Sequence, residues 1–248
     1  MIGRRRFLAG SAGGLLLPRS IVAQPSTIEA MRFSTLKPGA PLPAQYRVHA
    51  FEKQPRHTEY ALVEDAGRTV LRARADASTS GIARALRVEP ATHPVLAWRW
   101  KVTRLLAKSD LATRAGDDFP VRLYVSFDLD PERLSVGERM RIGLARMIYG
   151  ADVPVAALCY VWDRSAPAGT FAPNAYTDRV RMVVADSGAA KLGRWVEHER
   201  NVTEDFRRAF GLEAPAVTGV IVSTDTDNTG ESAESYYGDV SFRPRAPA

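Results

Sequence analysis

A single cysteine in 248 residues rules out any intramolecular disulfide. Cys159 lies in the apolar run Ala156-Ala157-Leu158-Cys159-Tyr160-Val161-Trp162. That setting predicts a buried small hydrophobe rather than a reactive thiol. Histidine is also scarce. His49, His57, His93 and His198 are far apart and form no His-x-x-x-His pair, so spacing gives no reason to expect zinc. His198 lies in Glu197-His198-Glu199-Arg200, which reads as a solvated charged run. Neither a Gly-x-Ser-x-Gly elbow nor a Gly-x-x-x-x-Gly-Lys-Ser/Thr phosphate loop occurs. No apolar run approaches the roughly 20 residues of a transmembrane helix. Internal repeats, low-complexity tracts and strong linkers are lacking as well.

The formal charge of +6 hints at nucleic acid until its location is considered. Residues 1–23 hold Arg4, Arg5, Arg6 and Arg19 and no acid. Without them, 30 basic residues face 28 acidic ones. The basicity belongs largely to the N-terminus, so no nucleic-acid partner is expected. Gly3-Arg4-Arg5-Arg6-Phe7-Leu8 fits a twin-arginine export signal, followed by a Gly/Ala-rich segment and Ile21-Val22-Ala23 at a cleavage point. A basic first helix is the competing reading, but Gly10, Gly13, Gly14 and Pro18 make that helix poor. The expected organisation is a signal peptide over residues 1–23, an extended leader or early edge strand over 24–45, and one domain over 46–248. A periplasmic location follows, with a Sec-type route as the alternative to the twin-arginine one.

Strand patterns dominate the rest. Residues 59–64 and 69–74 flank Asp65-Ala66-Gly67-Arg68, a hairpin signal. In Leu96-Ala97-Trp98-Arg99-Trp100-Lys101-Val102, Leu96, Trp98, Trp100 and Val102 share one face, with Arg99 and Lys101 opposite. Val121, Leu123, Val125 and Phe127 alternate in the same way with Arg122, Tyr124 and Ser126. Residues 82–88, 156–162 and 178–184 read as further strands. A basic amphipathic helix is expected over residues 132–149 and a second over 203–210, with Thr203 as N-cap and Gly211 as stop. Many short strands and few helices predict a mainly β chain: a single β-sandwich or jelly-roll domain, carbohydrate-binding-module-like, with one or two inserted helices.

The candidate chemistry gathers near the C-terminus. The strand Val220-Ile221-Val222-Ser223 leads into Thr224-Asp225-Thr226-Asp227-Asn228-Thr229-Gly230-Glu231. Three readings stand for these oxygens: a turn held by side-chain-to-backbone bonds, a polar ligand contact, or a cation loop. The spacing is not that of an EF-hand. No resident cofactor is expected, and calcium is the ion that this chemistry admits. Tyr236 and Tyr237 are adjacent in a strand and so face opposite ways, one inward and one free for a ligand. Asp117-Asp118 precedes the strand that carries Arg122 and Tyr124. Asp118, Arg122, Tyr124, Asp225, Asp227, Asn228 and Tyr237 therefore form the candidate ligand-binding set, with no catalytic and no metal residue assigned.

Several of these motifs together resemble a bacterial family, domain of unknown function 3047. The resemblance runs from about Arg47 to Phe242. It rests on residues 96–102, on Gly116-Asp117-Asp118 before Val121-Arg122-Leu123-Tyr124, and on Leu158-Cys159-Tyr160-Val161-Trp162. Ser223-Thr224-Asp225-Thr226-Asp227-Asn228-Thr229-Gly230 and Tyr236-Tyr237-Gly238-Asp239 complete it. It implies an exported β-sandwich and brings no catalytic residue. The leading expectation is a binding domain for an unidentified polar ligand, a saccharide or another envelope component. The alternatives are a glycan-directed hydrolase pairing Asp118 with Asp225 or Asp227, and a structural or interaction protein without a ligand.

Overall fold

Alternating strands with one apolar face must pair those faces, and here they do so as two stacked sheets. The structure is a computed structural model that describes residues 26–50, 54–129 and 156–245. In chain order its strands are β1 (Ile28–Met31), β2 (Arg47–His49), β3 (Glu59–Asp65), β4 (Arg68–Asp76), β5 (Gly81–Val88), β6 (Val95–Val102) and β7 (Arg122–Phe127). They continue with β8 (Ala156–Asp163), β9 (Phe171–Pro173), β10 (Val180–Ser187), β11 (Val196–Asn201), β12 (Val217–Ser223) and β13 (Ser232–Arg243). Among the described residues one α-helix, α1 (Val202–Phe210), lies between β11 and β12. The six-stranded sheet runs β11-β6-β13-β4-β3, with β1 also paired to β13. The seven-stranded sheet runs β2-β5-β12-β7-β8-β10-β9. The chain is a mainly β sandwich, as its patterning predicts.

The predicted apolar faces meet between the sheets. Leu96, Trp98, Trp100 and Val102 of β6 are buried, as are Leu123, Val125 and Phe127 of β7. Trp98 packs on Tyr160 of β8 with ring centroids 5.0 Å apart, so the tryptophan pair belongs to the core. The β3–β4 hairpin forms at Ala66-Gly67, both with positive φ, which suits the twist of a two-residue connection. Cys159 is fully buried, and burial pushes its thiol up to about 12. That environment removes thiolate reactivity near neutral pH.

Within residues 24–45 the early-strand alternative is the one that forms: Ile28 pairs with Phe242 and Met31 with Val240, and Met31 and Phe33 are fully buried. Three other expectations change. The N-cap of α1 is Asn201 rather than Thr203. The Asn201 side chain accepts from the Thr203 and Glu204 amides, while Gly211 at φ 70° ends the helix as expected. His198 is not a solvated residue. It sits opposite Trp98 in the β6–β11 pair, so it faces inward and stacks on that indole at 4.7 Å. Its Nε2 lies 2.7 Å from Asp186 Oδ2, which also accepts from Trp100 Nε1 at 2.8 Å. This bond ties β11 of one sheet to β10 of the other. Finally, Tyr237 is the inward member of its pair, because it pairs with Trp100, which faces the core. The helix expected over 132–149 and the signal over 1–23 lie outside the described residues. No helix among the described residues is long and apolar enough to cross a membrane.

Candidate binding site

The site assembles where two connections meet at one end of the seven-stranded sheet. Strand β12 pairs with β7 so that Ser223 stands opposite Arg122. That register brings the segment after β12, beginning at Thr224, beside the segment before β7, residues 117–121. Gly116 allows this approach: a Cβ there would lie 2.6 Å from Asp110 Cβ and 2.7 Å from Asp110 N. No side chain fits at that position, and the tight turn it permits places Asp117 and Asp118 under the β12–β13 loop. That loop is pinned in turn. The Thr226 amide donates to Ser78 O at 2.9 Å, the Gly230 amide to Thr226 O at 2.9 Å, and Glu231 accepts from the Ala107 and Lys108 amides.

Arg122 is the electrostatic centre. It is 1% exposed, and its Nε donates to Asp225 Oδ1 at 2.8 Å while Nη2 lies 2.7 Å from Asp225 Oδ2. Nη1 and Nη2 also reach Asp117 Oδ1 at 3.3 and 3.2 Å, and Nη2 donates to the Asp117 carbonyl. Its guanidinium sits over the Phe119 ring at 4.6 Å. Burial opposes the Arg122 charge, but Asp117 and Asp225 outweigh it and hold the group ionised. Burial pushes the Asp225 carboxyl up to about 7 against the pull of Arg122, and the charges of Asp118 and Asp117 add to the push. Asp227 is raised too, by burial and then by Asp118. One guanidinium pairs with two of the four neighbouring carboxylates, so the cluster carries negative charge that this cation does not cancel.

Asp118 is fully buried. Its Oδ2 accepts from the Thr229 amide at 2.6 Å, and its Oδ1 has no hydrogen-bond partner among the described residues. Ligand oxygens of Asp118, Asp225 and Asp227 lie within 4.8 Å of one another. Asp227 Oδ2 accepts from Gln54 Nε2 at 2.8 Å. Tyr124 shares the outward face of β7 with Arg122 and packs against a second apolar cluster of Phe119, Cys159, Val161, Met182 and Val184. Burial raises its phenol well above the usual tyrosine range.

Of the seven residues expected in the site, five come together: Asp118, Arg122, Tyr124, Asp225 and Asp227. Tyr237 lies beneath them in the core. Its hydroxyl donates to Ser223 O at 2.5 Å and touches Thr224 Oγ1 at 2.9 Å, so it supports the loop from inside. Asn228 faces the rim, where its amide donates to Arg114 O at 2.8 Å and to the Tyr176 hydroxyl at 2.7 Å. Tyr176 was not legible as a site residue. The residue is 52% exposed, with the Arg114 guanidinium 5.1 Å from its ring centroid. It is tied to the acid cluster through Asn174, which accepts from the Tyr176 amide and donates to Asp117 Oδ2. The available signal was an aromatic in the turn-rich run Pro173-Asn174-Ala175-Tyr176-Thr177-Asp178.

Residues 44–241 match the model of a family described as a protein of unknown function, DUF3047. The chain belongs to that family. The match takes in both segments of the site and Tyr176. No curated protein matches the chain. Among solved structures it is similar to the family 11 carbohydrate-binding module of a cellulosomal cellulase of Clostridium thermocellum. The identity there is 8% and the TM-score 0.41, over 90% of this chain and 99% of that one. It is also similar to a β-1,2-glucanase from Parabacteroides distasonis, at 11% identity and TM-score 0.43, covering 90% of this chain and 26% of that one. An arabinose-bound GH51 α-L-arabinofuranosidase aligns at 9% identity and TM-score 0.40, over 88% of this chain and 26% of the enzyme.

Proposed function

We propose that this chain is an exported, periplasmic binding domain for a polyhydroxylated ligand, a saccharide of the cell envelope. Its contact surface is the Tyr176–Asn228 rim beside the Arg122 cluster. The observation that carries this reading is Tyr176. It is the one aromatic among the three exposed large hydrophobics of the described residues, and Arg114 and Asn228 hold it in place. A tyrosine ring with a polar tip stacks on the apolar face of a sugar and bonds its hydroxyls. Arg4-Arg5-Arg6-Phe7-Leu8 supports the exported location.

A glycan-directed hydrolase would use Asp225, with its carboxyl near 7, as proton donor and Asp118 or Asp227 as partner. Asp225 is only 7% exposed and is already paired to Arg122, and Asp118 is fully buried. A glycosidic bond could reach them only by displacing that ion pair. Binding at the rim needs no such displacement and is the better-supported reading.

The test is a glycan array on the purified full chain, followed by titration of any hit. Tyr176→Ala should weaken binding roughly two- to tenfold, the range expected for one aromatic contact, with no change in melting temperature. Failure of every glycan to bind, or full affinity in Tyr176→Ala, refutes the reading.

A further inference from the structure

We propose that Asp118, Asp225 and Asp227 bind a calcium ion, which joins the turn before β7 to the loop after β12. This inference stands apart from saccharide binding at the rim. It begins with Asp118 Oδ1, an oxygen on a fully buried side chain with no hydrogen-bond partner among the described residues. Buried carboxylate oxygens in folded proteins nearly always have a partner. Oδ2 is already occupied by the Thr229 amide. A cation satisfies the free oxygen directly.

Charge points the same way. The Arg122 nitrogens are committed to Asp117 and Asp225, while Asp118 and Asp227 cluster with Asp225 and bring two further carboxylates to the site. Lys108 approaches the loop, but its Nζ donates to Thr229 O at 3.0 Å. Asp118 therefore has no cationic hydrogen-bond partner among the described residues. A divalent ion would neutralise most of the remaining negative charge.

Donor chemistry selects the ion. The cluster offers carboxylate oxygens with neither imidazole nor thiolate, a hard set that suits calcium or magnesium rather than zinc or copper. Its oxygens lie within 4.8 Å of one another. Calcium accepts irregular cages built wholly from protein oxygens, whereas magnesium demands near-ideal octahedral geometry and usually keeps several waters. Asp225 would share its carboxylate between Arg122 and the ion, and Asp118 Oδ1 would be the anchor.

The experiment uses the purified full chain, stripped with chelator and dialysed. Thermal melting and calorimetric titration are then run with calcium chloride and with magnesium chloride. Calcium at about 100 times its Kd should raise Tm by roughly 5–10 °C, with a smaller response to magnesium. Asp118→Asn should lower calcium affinity at least about tenfold, yet leave the metal-free protein no less stable, because it removes a buried charge. If that variant fails to fold, Asp227→Asn, on a less buried residue, carries the same expectation of weakened binding. Absence of any calcium heat or Tm shift overturns the proposal. So does a larger response to magnesium than to calcium, or a calcium response that survives intact in both variants. None of these outcomes bears on glycan affinity at Tyr176, so the two readings fail separately.

Discussion

Replacing Arg122 with methionine keeps most of the side-chain volume and removes the charge at the centre of the site. The variant loses the donors that now meet Asp225 at 2.8 and 2.7 Å and Asp117 at 3.2 and 3.3 Å. Both carboxylates remain, 7% and 8% exposed, with no ionised partner in the pair. Removing one member of a buried ion pair costs about 3–5 kcal/mol, mostly because the other charge stays in a poor solvent. At roughly 2–4 °C per kcal/mol for a chain of this size, Tm should fall by about 6–20 °C. Urea unfolding in chelator-containing buffer measures the loss directly, and an unchanged slope would show that compactness is preserved.

Two controls separate charge from packing in that loss. Adding Asp225→Asn to Arg122→Met removes one stranded carboxylate and should restore at least half of the lost stability, a non-additivity expected of groups in contact. The deficit should also shrink as pH falls. Without the guanidinium, the buried Asp225 carboxyl loses the pull that opposes its burial and rises above its native value of about 7. The folded variant then takes up a proton before the native protein does, so the gap between them narrows from about pH 9 towards pH 7. A loss below about 1 kcal/mol, against the 3–5 expected, or a deficit that is the same at about pH 9 and pH 7, would refute this account of the cluster.

Two further consequences concern the frame around the site. Burial pushes the Asp186 carboxyl up, but hydrogen bonds from His198, Trp100 and Lys191 outweigh it and hold the group at about 2. Because this lies below the 3.8 of a free aspartate, its contribution is full above about pH 4 and is lost as pH falls from there towards 2. The gap is worth about 2 kcal/mol, so stability of the native chain should drop faster than that of Asp186→Asn across this window. Parallel pH profiles for the two proteins would refute it. Gly116→Ala drives a methyl into the Asp110 backbone and should cost about 1–3 kcal/mol by displacing the turn that carries Asp117 and Asp118. It should also weaken calcium binding, and calorimetric titration of the folded variant checks this.

What was legible from the amino acids follows from the range of the forces involved. Period-two alternation marks a strand locally, so β6, β7 and their inward faces could be read directly, and so could the shared face of Arg122 and Tyr124. The single sandwich followed from the number of such strands. The convergence of Asp118 with Asp225 was not local. It depends on β12 pairing with β7 across about a hundred residues of chain, with Ser223 set opposite Arg122. Nothing in either segment specifies that register. The same limit explains both misplaced side chains. Tyr237 and His198 each lie opposite a core tryptophan, Trp100 and Trp98, and the pairing alone turns them inward. Glu197-His198-Glu199-Arg200 looks solvated because its neighbours point the other way. Tyr176 belongs to a loop, where no period exists to reveal which way a ring faces. The site is therefore a product of strand order. Its acids are ordinary turn residues in isolation, and their unusual electrostatics arise when β7 and β12 bring two such turns around one arginine. A variant that shifts the β7–β12 register should abolish the cluster even with every acid retained.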